Sequence, residues 1–420
     1  MQMNRNVCAA TVFGLLGLAL FVSCETKSPS TSGIEQQRAI LKIRQASLQR
    51  RDHKPPTPQT RDFLSPVYNV DKIYASMTGP WSWLDADLVE GPKELIWITG
   101  ISVKMVDADG TTAVSPQFMC HANLDLDPVQ HMNLFGNKKQ LDGRVFTLSQ
   151  GQTDVQLPPG YGIPVWSDEN LRLATQALNL NWPNEKFKVR HKLTVSFIRD
   201  SDTDYPMKPL YQKGIFAMVS LGAEGTVFDH EAEQQAKSEL LHDMPICLPG
   251  EKAIQNDESR DRYGRKFTGH WVIPPGRHEF RTRVTTLLRL PNDTTIHYIG
   301  AHLHPTAESL SLRDITAAEV VFTSMAKNVE GGLGLEKVGF LRSSEGVPIY
   351  KDHEYELIAI YDNDTGENQD SMAVFFLYLL DQDYWDIRRQ TQHDRQQTVI
   401  ESSPNNGLPI LPPLGLPKAG

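Results

Sequence analysis

Residues 94–106 read ELIWITGISVKMV, a run rich in β-branched and aromatic residues that partly alternates between apolar and polar. Such a run is typical of a half-buried strand. Similar segments lie between clusters of Gly, Pro, Asn and Asp: HKLTVSFI (191–198), HEFRTRVTTLLRL (278–290), YELIAIYD (355–362) and MAVFFLYLL (372–380). Helical patterning is confined to residues 232–242 and 383–393. The sequence therefore predicts an all-β fold of the sandwich type.

The charge of the chain limits its possible partners, and its length indicates how many domains it has. It has 420 residues, with 42 Lys and Arg against 51 Asp and Glu, for a formal net charge of -9. This charge argues against a nucleic-acid partner, because phosphate binding needs clustered cations.

One sandwich rarely needs so many residues, so we predict two β-sandwich domains, divided near Tyr205–Pro209. The predicted segments are a tether at 24–65, sandwiches at 66–207 and 208–390, a polar insertion at about 229–266, and a flexible tail at 391–420.

The N-terminal segment carries an export signal. Residues 1–24 read MQMNRNVCAATVFGLLGLALFVSC, with Arg5 before a short apolar run that ends in a lipobox-like Phe-Val-Ser-Cys. We predict cleavage after residue 23 and lipidation of Cys24. The protein would then be extracytoplasmic and anchored to a bacterial membrane, at the periplasmic side or the cell surface. An uncleaved anchor helix is the alternative.

Two cysteines, Cys120 and Cys247, remain after the signal and Cys24 are set aside. In an oxidising compartment the simplest arrangement is a disulfide between them. Two buried free thiols are the alternative.

The string Ile296–Pro305, IHYIGAHLHP, predicts a metal site. On a strand, residues i and i+2 share a face, so His302 and His304 can direct two imidazoles at one ion. Met372 begins an apolar strand after an acidic turn. A thioether with two imidazoles suits copper better than zinc. His270 and His278, by contrast, are expected at surface or hairpin positions.

These residues belong to a wider pattern, in which the chain resembles the copper type II, ascorbate-dependent monooxygenases, the group of peptidylglycine alpha-hydroxylating monooxygenase and dopamine beta-monooxygenase. The matching stretches follow the family's order: VQHMNLFG (129–136), LPPGYG (157–162), VIPPG (272–276), His302 with His304, and the acidic turn before Met372. The resemblance implies two jelly-roll-like β-sandwiches that face a cleft. It also implies that His302, His304 and Met372 bind the copper at which O2 is activated.

The second copper site of the family is largely missing. Of its three histidines only His131 is kept, because Gln130 and Leu178 stand at the other two positions. His131 is therefore predicted to be a remnant of this site or a structural residue. His121 and His297 are further candidate ligands, although a histidine such as His121 is more often a satisfied structural residue of the sandwich.

The substrate contacts of the family differ as well. Gly300 replaces the family's carboxylate-binding Arg, and Val374 and Phe376 replace a polar Asn and Tyr. Peptidylglycine is therefore not the expected substrate.

Three functions follow from the sequence. The first is a copper-dependent monooxygenase-like protein that acts on another substrate, small molecule or peptide, with ascorbate or another reductant. The second is a non-catalytic, surface-tethered copper-binding lipoprotein. The third is an exported binding module whose histidines are structural.

Overall fold

The structure is a computed structural model, and it describes residues 54–135, 143–222, 258–260 and 264–386. The predicted signal, Cys24, Cys247, most of the predicted insertion and the predicted tail lie outside the described residues. Predictions about these segments therefore stay predictions.

Strands make up most of the described chain. In the first half they are β1 Gln59–Leu64, β2 Tyr68–Val70, β3 Trp81–Asp85, β4 Leu95–Asp107, β5 Met119–Leu126, β6 Arg144–Ser149, β7 Asp154–Gln156, β8 Tyr161–Trp166, β9 Leu171–Ala177, β10 Phe187–Arg199 and β11 Lys208–Phe216. In the second half they are β12 Val219–Ser220, β13 Glu258–Arg260, β14 Lys266–Thr268, β15 Trp271–Ile273, β16 Gly276–Arg283, β17 Thr294–Leu303, β18 Ala307–Asp314, β19 Glu319–Asn328, β20 Leu335–Val338, β21 Leu341–Ile349, β22 Tyr355–Asn363, β23 Gln369–Ser371 and β24 Ala373–Leu380.

Helices are few and short in the described residues. They are α1 Pro128–Phe135, α2 Thr285–Leu288, and the 3-10 turns Pro116–Phe118 and Asp200–Asp202, and residues 384–386 are helical as well. The predicted all-β fold is confirmed. One predicted strand is shorter than expected, because residues 278–290 leave β16 after Arg283 and turn into α2.

One long sheet runs through the molecule. Its strands lie in the order β1-β10-β4-β8-β11-β24-β17-β21, with β2 added beside β10 and β7 beside β4. The two halves meet where β8 and β11 pair in parallel, with Lys208 opposite Tyr161 and Pro209 opposite Gly162. The predicted division near Tyr205–Pro209 falls at this junction, and the hydrogen-bonded sheet continues across it.

Two smaller sheets cover the long sheet as sandwich layers. The four-stranded sheet β3-β9-β5-β6 faces its first half, where Tyr68 on β2 is hydrogen-bonded to Thr175 on β9 at 2.6 Å. The five-stranded sheet β16-β22-β18-β19-β20 faces its second half, where the rings of Phe322 and Phe375 lie 5.8 Å apart. Apolar side chains fill both interfaces, so their burial supplies most of the driving force for folding.

The body of the fold begins before the predicted end of the tether. Residues 59–64 form β1, which pairs in antiparallel register with β10 from Gln59–Phe197 to Leu64–Lys192. Alternation explains the difference, because Arg61 and Phe63 are half-buried while Thr60, Asp62 and Leu64 are exposed.

A single glutamine ties β17, which carries the His-x-His pair, to the first half of the chain. Gln152 is 4% exposed; its Nε2 donates to the Tyr298 hydroxyl at 2.9 Å and its Oε1 accepts from the Ala301 N–H at 2.9 Å. Gly300 leaves room for it, since a Cβ there would lie 3.0 Å from Nε2. The glutamine thus fixes β17 at both sides of Gly300.

We predict that Gln152→Ala lowers the free energy of unfolding by about 2–4 kcal/mol, because two buried polar groups lose their partners. Chemical denaturation of the purified protein measures the change. The exposed Gln59 supplies the matched control, and Gln59→Ala should stay within about 0.5 kcal/mol of the unsubstituted protein. Equal stability of the two variants would contradict this account.

Candidate metal centre

The His-x-His pair lies at the end of a central strand. β17 is hydrogen-bonded on one side to β24 and on the other to β21. His302 is opposite Val374, and Leu303 is opposite Ala373. Strand alternation puts His302 and His304 on one face, as the sequence predicts, and both residues are buried.

Two strand pairings bring Met372 to the same place. The β17–β24 register ends at Leu303–Ala373, so the next position places Met372 opposite His304. The β15–β23 register ends at Trp271–Ser371, so the next position places His270 opposite Met372. Met372 is 7% exposed and its carbonyl accepts a 2.7 Å hydrogen bond from Tyr361. The backbone therefore sets Met372 between two histidines.

His302 is the least satisfied polar side chain of the group. It is 3% exposed, and neither ring nitrogen has a hydrogen-bond partner among the described residues. Burial, followed by the neighbouring His304, lowers the pKa of His302 well below its usual value, so the ring is neutral. A neutral imidazole with an unshared nitrogen pair is the form that binds metals.

The spacing of the rings fits a shared ion. Two imidazoles bound at about 2.0 Å to one tetrahedral ion have ring centres about 5 Å apart. The ring centres of His302 and His304 are 5.2 Å apart, with the planes at 89°. This distance and the unpartnered nitrogens of His302 fit a metal of the kind that the resemblance implies.

His270 is part of the same cluster, contrary to its expected surface or hairpin position. Its side chain is only 10% exposed; its Nε2 lies 3.0 Å from Asp370 Oδ1, and its ring centre lies 5.5 Å from that of His304. A signal in the sequence was missed: His270 directly precedes β15, and Asp370 stands two residues before Met372. Only the pairing of β15 with β23 shows that they are neighbours.

Asp370 joins the two histidines. Its Oδ2 lies 3.4 Å from His304 Nδ1. Burial would raise the pKa of the Asp370 carboxyl, but the adjacent imidazoles of His270 and His304 hold it well below its usual value. The carboxylate is therefore ionised at neutral pH. On the other side of its ring, His304 Nε2 lies 3.4 Å from the hydroxyl of Ser76.

The first half of the chain contributes a second buried polar group. His121 on β5 is fully buried, and neither of its ring nitrogens has a hydrogen-bond partner among the described residues. Burial, followed by Arg144, lowers the pKa of His121 to about 3. His121 also lies near enough to His302 for a charge on one ring to disfavour a charge on the other. The predicted candidate His121 is thus close to the main cluster.

Cys120 lies beside this cluster as a buried free thiol. Burial raises the pKa of the Cys120 thiol to about 11, and the hydroxyl of Ser76 is hydrogen-bonded to it. Its predicted partner Cys247 is outside the described residues, so the disulfide stays a prediction.

The other two predicted candidates have partners of their own. His297 occupies a bulge in β17; its Nδ1 donates to the Ser343 carbonyl at 2.9 Å and its Nε2 accepts from Thr295 at 2.8 Å. The register of β17 shifts at His297 itself, against both β21 and β24. Both ring nitrogens of His297 are thus engaged by neighbouring groups, away from the His302 and His304 pair.

His131 lies on α1, which Asp127 caps by accepting from the N–H groups of Val129 and Gln130. Its Nδ1 lies 2.7 Å from Glu169 Oε2, and both side chains are buried. No group of three His, Cys, Asp or Glu side chains includes His131 in the part of the chain that the structure describes. His131, the predicted remnant of the second site, is engaged by Glu169 in the structure.

Gly300, Val374 and Phe376, the positions that differ from the family's substrate contacts, lie in tightly packed surroundings. Gln152 occupies the space beside Gly300, so a longer side chain at that position would collide with it. Val374 and Phe376 are buried in β24. These positions offer no group that could bind a carboxylate.

Comparison with known proteins adds no functional assignment. No family model matches the chain, and no curated protein matches it. Solved structures of low similarity include the STIV MCP (9% identity, covering 78% of this chain and 98% of the other, TM-score 0.28) and the Cowpea mosaic virus top component (9%, 79% and 91%, TM-score 0.26). Structural similarity at this level supports no functional conclusion. Among the described helices, none has the length and apolar character needed to cross a membrane.

We predict that His302→Leu makes the metal-free protein more stable, by about 1–3 kcal/mol, because it removes a buried imidazole without hydrogen bonds. Denaturation in the presence of a chelator measures this. His353→Leu is the matched control: His353 Nδ1 lies 2.7 Å from the buried carboxylate of Asp314, so this variant should be destabilised. Equal destabilisation of both variants would show that His302 has a structural partner.

Proposed function

We propose that this chain binds copper through His302, His304 and Met372. The observation that supports the proposal most strongly is the His302 ring, buried without hydrogen-bond partners and 5.2 Å from the ring of His304. Burying such a polar group costs free energy unless a ligand satisfies it. A bound metal ion would remove that cost.

The donor set favours copper over other ions. Met372 is the one soft donor that the strand pairings place beside His304 and His270. Imidazoles with a thioether suit copper in both oxidation states, whereas structural zinc sites use thiolates, imidazoles and carboxylates. The thiol of Cys120 is a poor competitor because its raised pKa keeps it protonated.

We further propose that the site is monooxygenase-like and acts on a substrate other than peptidylglycine. Bound copper would supply one-electron exchange with O2, with ascorbate or another reductant as the electron source. The chain's own residues would orient and enclose the ion: Asp370 fixes the His304 ring through Nδ1, and Tyr361 holds the backbone of Met372. The Asp370 side chain is 36% exposed and so opens the site to small molecules.

Copper binding without catalysis is the second candidate. A separate electron-relay copper needs its own ligands, and His131, the single ligand kept from the family, is held by Glu169. This contact favours a tethered copper-binding protein. In either case the export signal and Cys24 support our proposal of an extracytoplasmic, lipid-anchored location.

We predict that the purified protein retains copper at one ion per chain, and that His304→Ala weakens copper binding more than about 100-fold, beyond the 10–100-fold typical of losing an outer-shell contact. Metal analysis and competition with a chelator measure both quantities. His278→Ala, at a half-buried position in β16 outside the cluster, is the control and should bind as the unsubstituted protein does.

Oxygen consumption separates the two candidates. If the copper-loaded protein consumes O2 with ascorbate and His304→Ala does not, the monooxygenase-like function is supported. Tight copper binding without O2 consumption across several reductants would leave the non-catalytic function. Failure of the unsubstituted protein to retain copper would contradict both.

A further inference from the structure

A carboxylate and a third histidine converge on His304 from outside the predicted ligand set. Donor atoms of His270, His304 and Asp370 all lie within 4.8 Å of one another, and no other group of three His, Cys, Asp or Glu side chains does so in the described residues. The closest contacts are 3.0 Å from His270 Nε2 to Asp370 Oδ1 and 3.4 Å from His304 Nδ1 to Asp370 Oδ2.

These distances match the spacing of ligands around a single ion. When four ligands surround an ion tetrahedrally at about 2.0–2.1 Å, neighbouring donor atoms are about 3.3 Å apart. The two measured contacts lie on either side of this value. The ring centres of His270 and His304, 5.5 Å apart, also agree with two imidazoles on one ion.

The strand pairing explains why the three side chains converge. Val272 is opposite Asp370 in the β15–β23 ladder, and alternation puts His270 on the same face as Val272. The face is open at one end, where Val272 is 61% exposed, and closed at the other by the buried His304. An ion could therefore reach the three side chains from solvent past Asp370.

We propose that His270 and Asp370 are metal ligands, and that with His304 they form a nitrogen and oxygen donor set for divalent ions such as Zn(II) and Cu(II). Carboxylate oxygen is a harder donor than thioether sulfur, so this set favours the divalent ions while Met372 favours Cu(I). The inference rests on the proposed function for the role of His304 and extends it to a further metal class and further ligands.

Affinities test the ligand set. We expect His270→Gln and Asp370→Asn each to weaken Zn(II) binding, measured by titration against a chromophoric chelator, at least about tenfold. In Asp370→Asn, Cu(I) affinity should fall less than Zn(II) affinity, since Cu(I) is held by the softer donors and would lose only a contact to His304. The controls His278→Gln, at a half-buried position, and Asp364→Asn, at an exposed one, alter residues outside the cluster and should bind both ions normally.

Spectroscopy separates direct ligation from an indirect effect on His304 or on folding. In Asp370→Cys, a ligand at this position would replace carboxylate by thiolate and give an intense sulfur-to-metal charge-transfer band with Co(II). The unsubstituted protein, which contains Cys120, and the surface variant Asp364→Cys should lack the band. In the Cu(II) form, electron paramagnetic resonance should lose the coupling of one nitrogen in His270→Gln.

The outcomes distinguish this inference from the proposed function. If His270→Gln and Asp370→Asn bind Zn(II) normally and no charge-transfer band appears, the inference is wrong, and copper binding at His302, His304 and Met372 is unaffected. If the protein binds Zn(II) through His270 and Asp370 but retains no copper, the proposed function is wrong and the inference holds.

Discussion

The hydrogen-bonding demand of buried imidazoles is the constraint on which this site depends. A neutral histidine in a protein interior needs partners for both ring nitrogens, or its burial opposes folding. His297 meets that demand through Ser343 and Thr295, and Glu169 engages Nδ1 of His131. His302 does not meet it, among the described residues. His121 and His191 are also buried without hydrogen-bond partners among the described residues, so the assignment of His302 to a metal rests as well on the His304 ring 5.2 Å away.

The long sheet places this constraint where both halves of the chain meet. β17 carries His302 and is fixed by Gln152, which comes from the turn before β7. Ser76, from the loop before β3, reaches His304. Because contacts from the first half hold a strand of the second half, the position of the histidines depends on the whole fold rather than on one hairpin. A rigid support of this kind is what a metal centre requires.

The sequence predicted correctly those features that depend on residues close together in the chain. Alternation in segments such as residues 94–106 predicted strands, and the i, i+2 spacing predicted that His302 and His304 share a face. The position of Met372 came from a resemblance, and the strand register agrees with it. His270 and Asp370 escaped prediction because they meet through a pairing of strands about a hundred residues apart in the chain, which no local pattern encodes. The same limit applies to Gln152 beside Gly300.

The central claim is that one ion lies between the rings of His302 and His304, beside the sulfur of Met372. Anomalous diffraction at the copper absorption edge, from crystals of the copper-loaded protein, tests it most directly. The account predicts one strong peak within bonding distance of both imidazoles. A peak elsewhere, or no peak at saturating copper while the His302 nitrogens still lack partners, would contradict it.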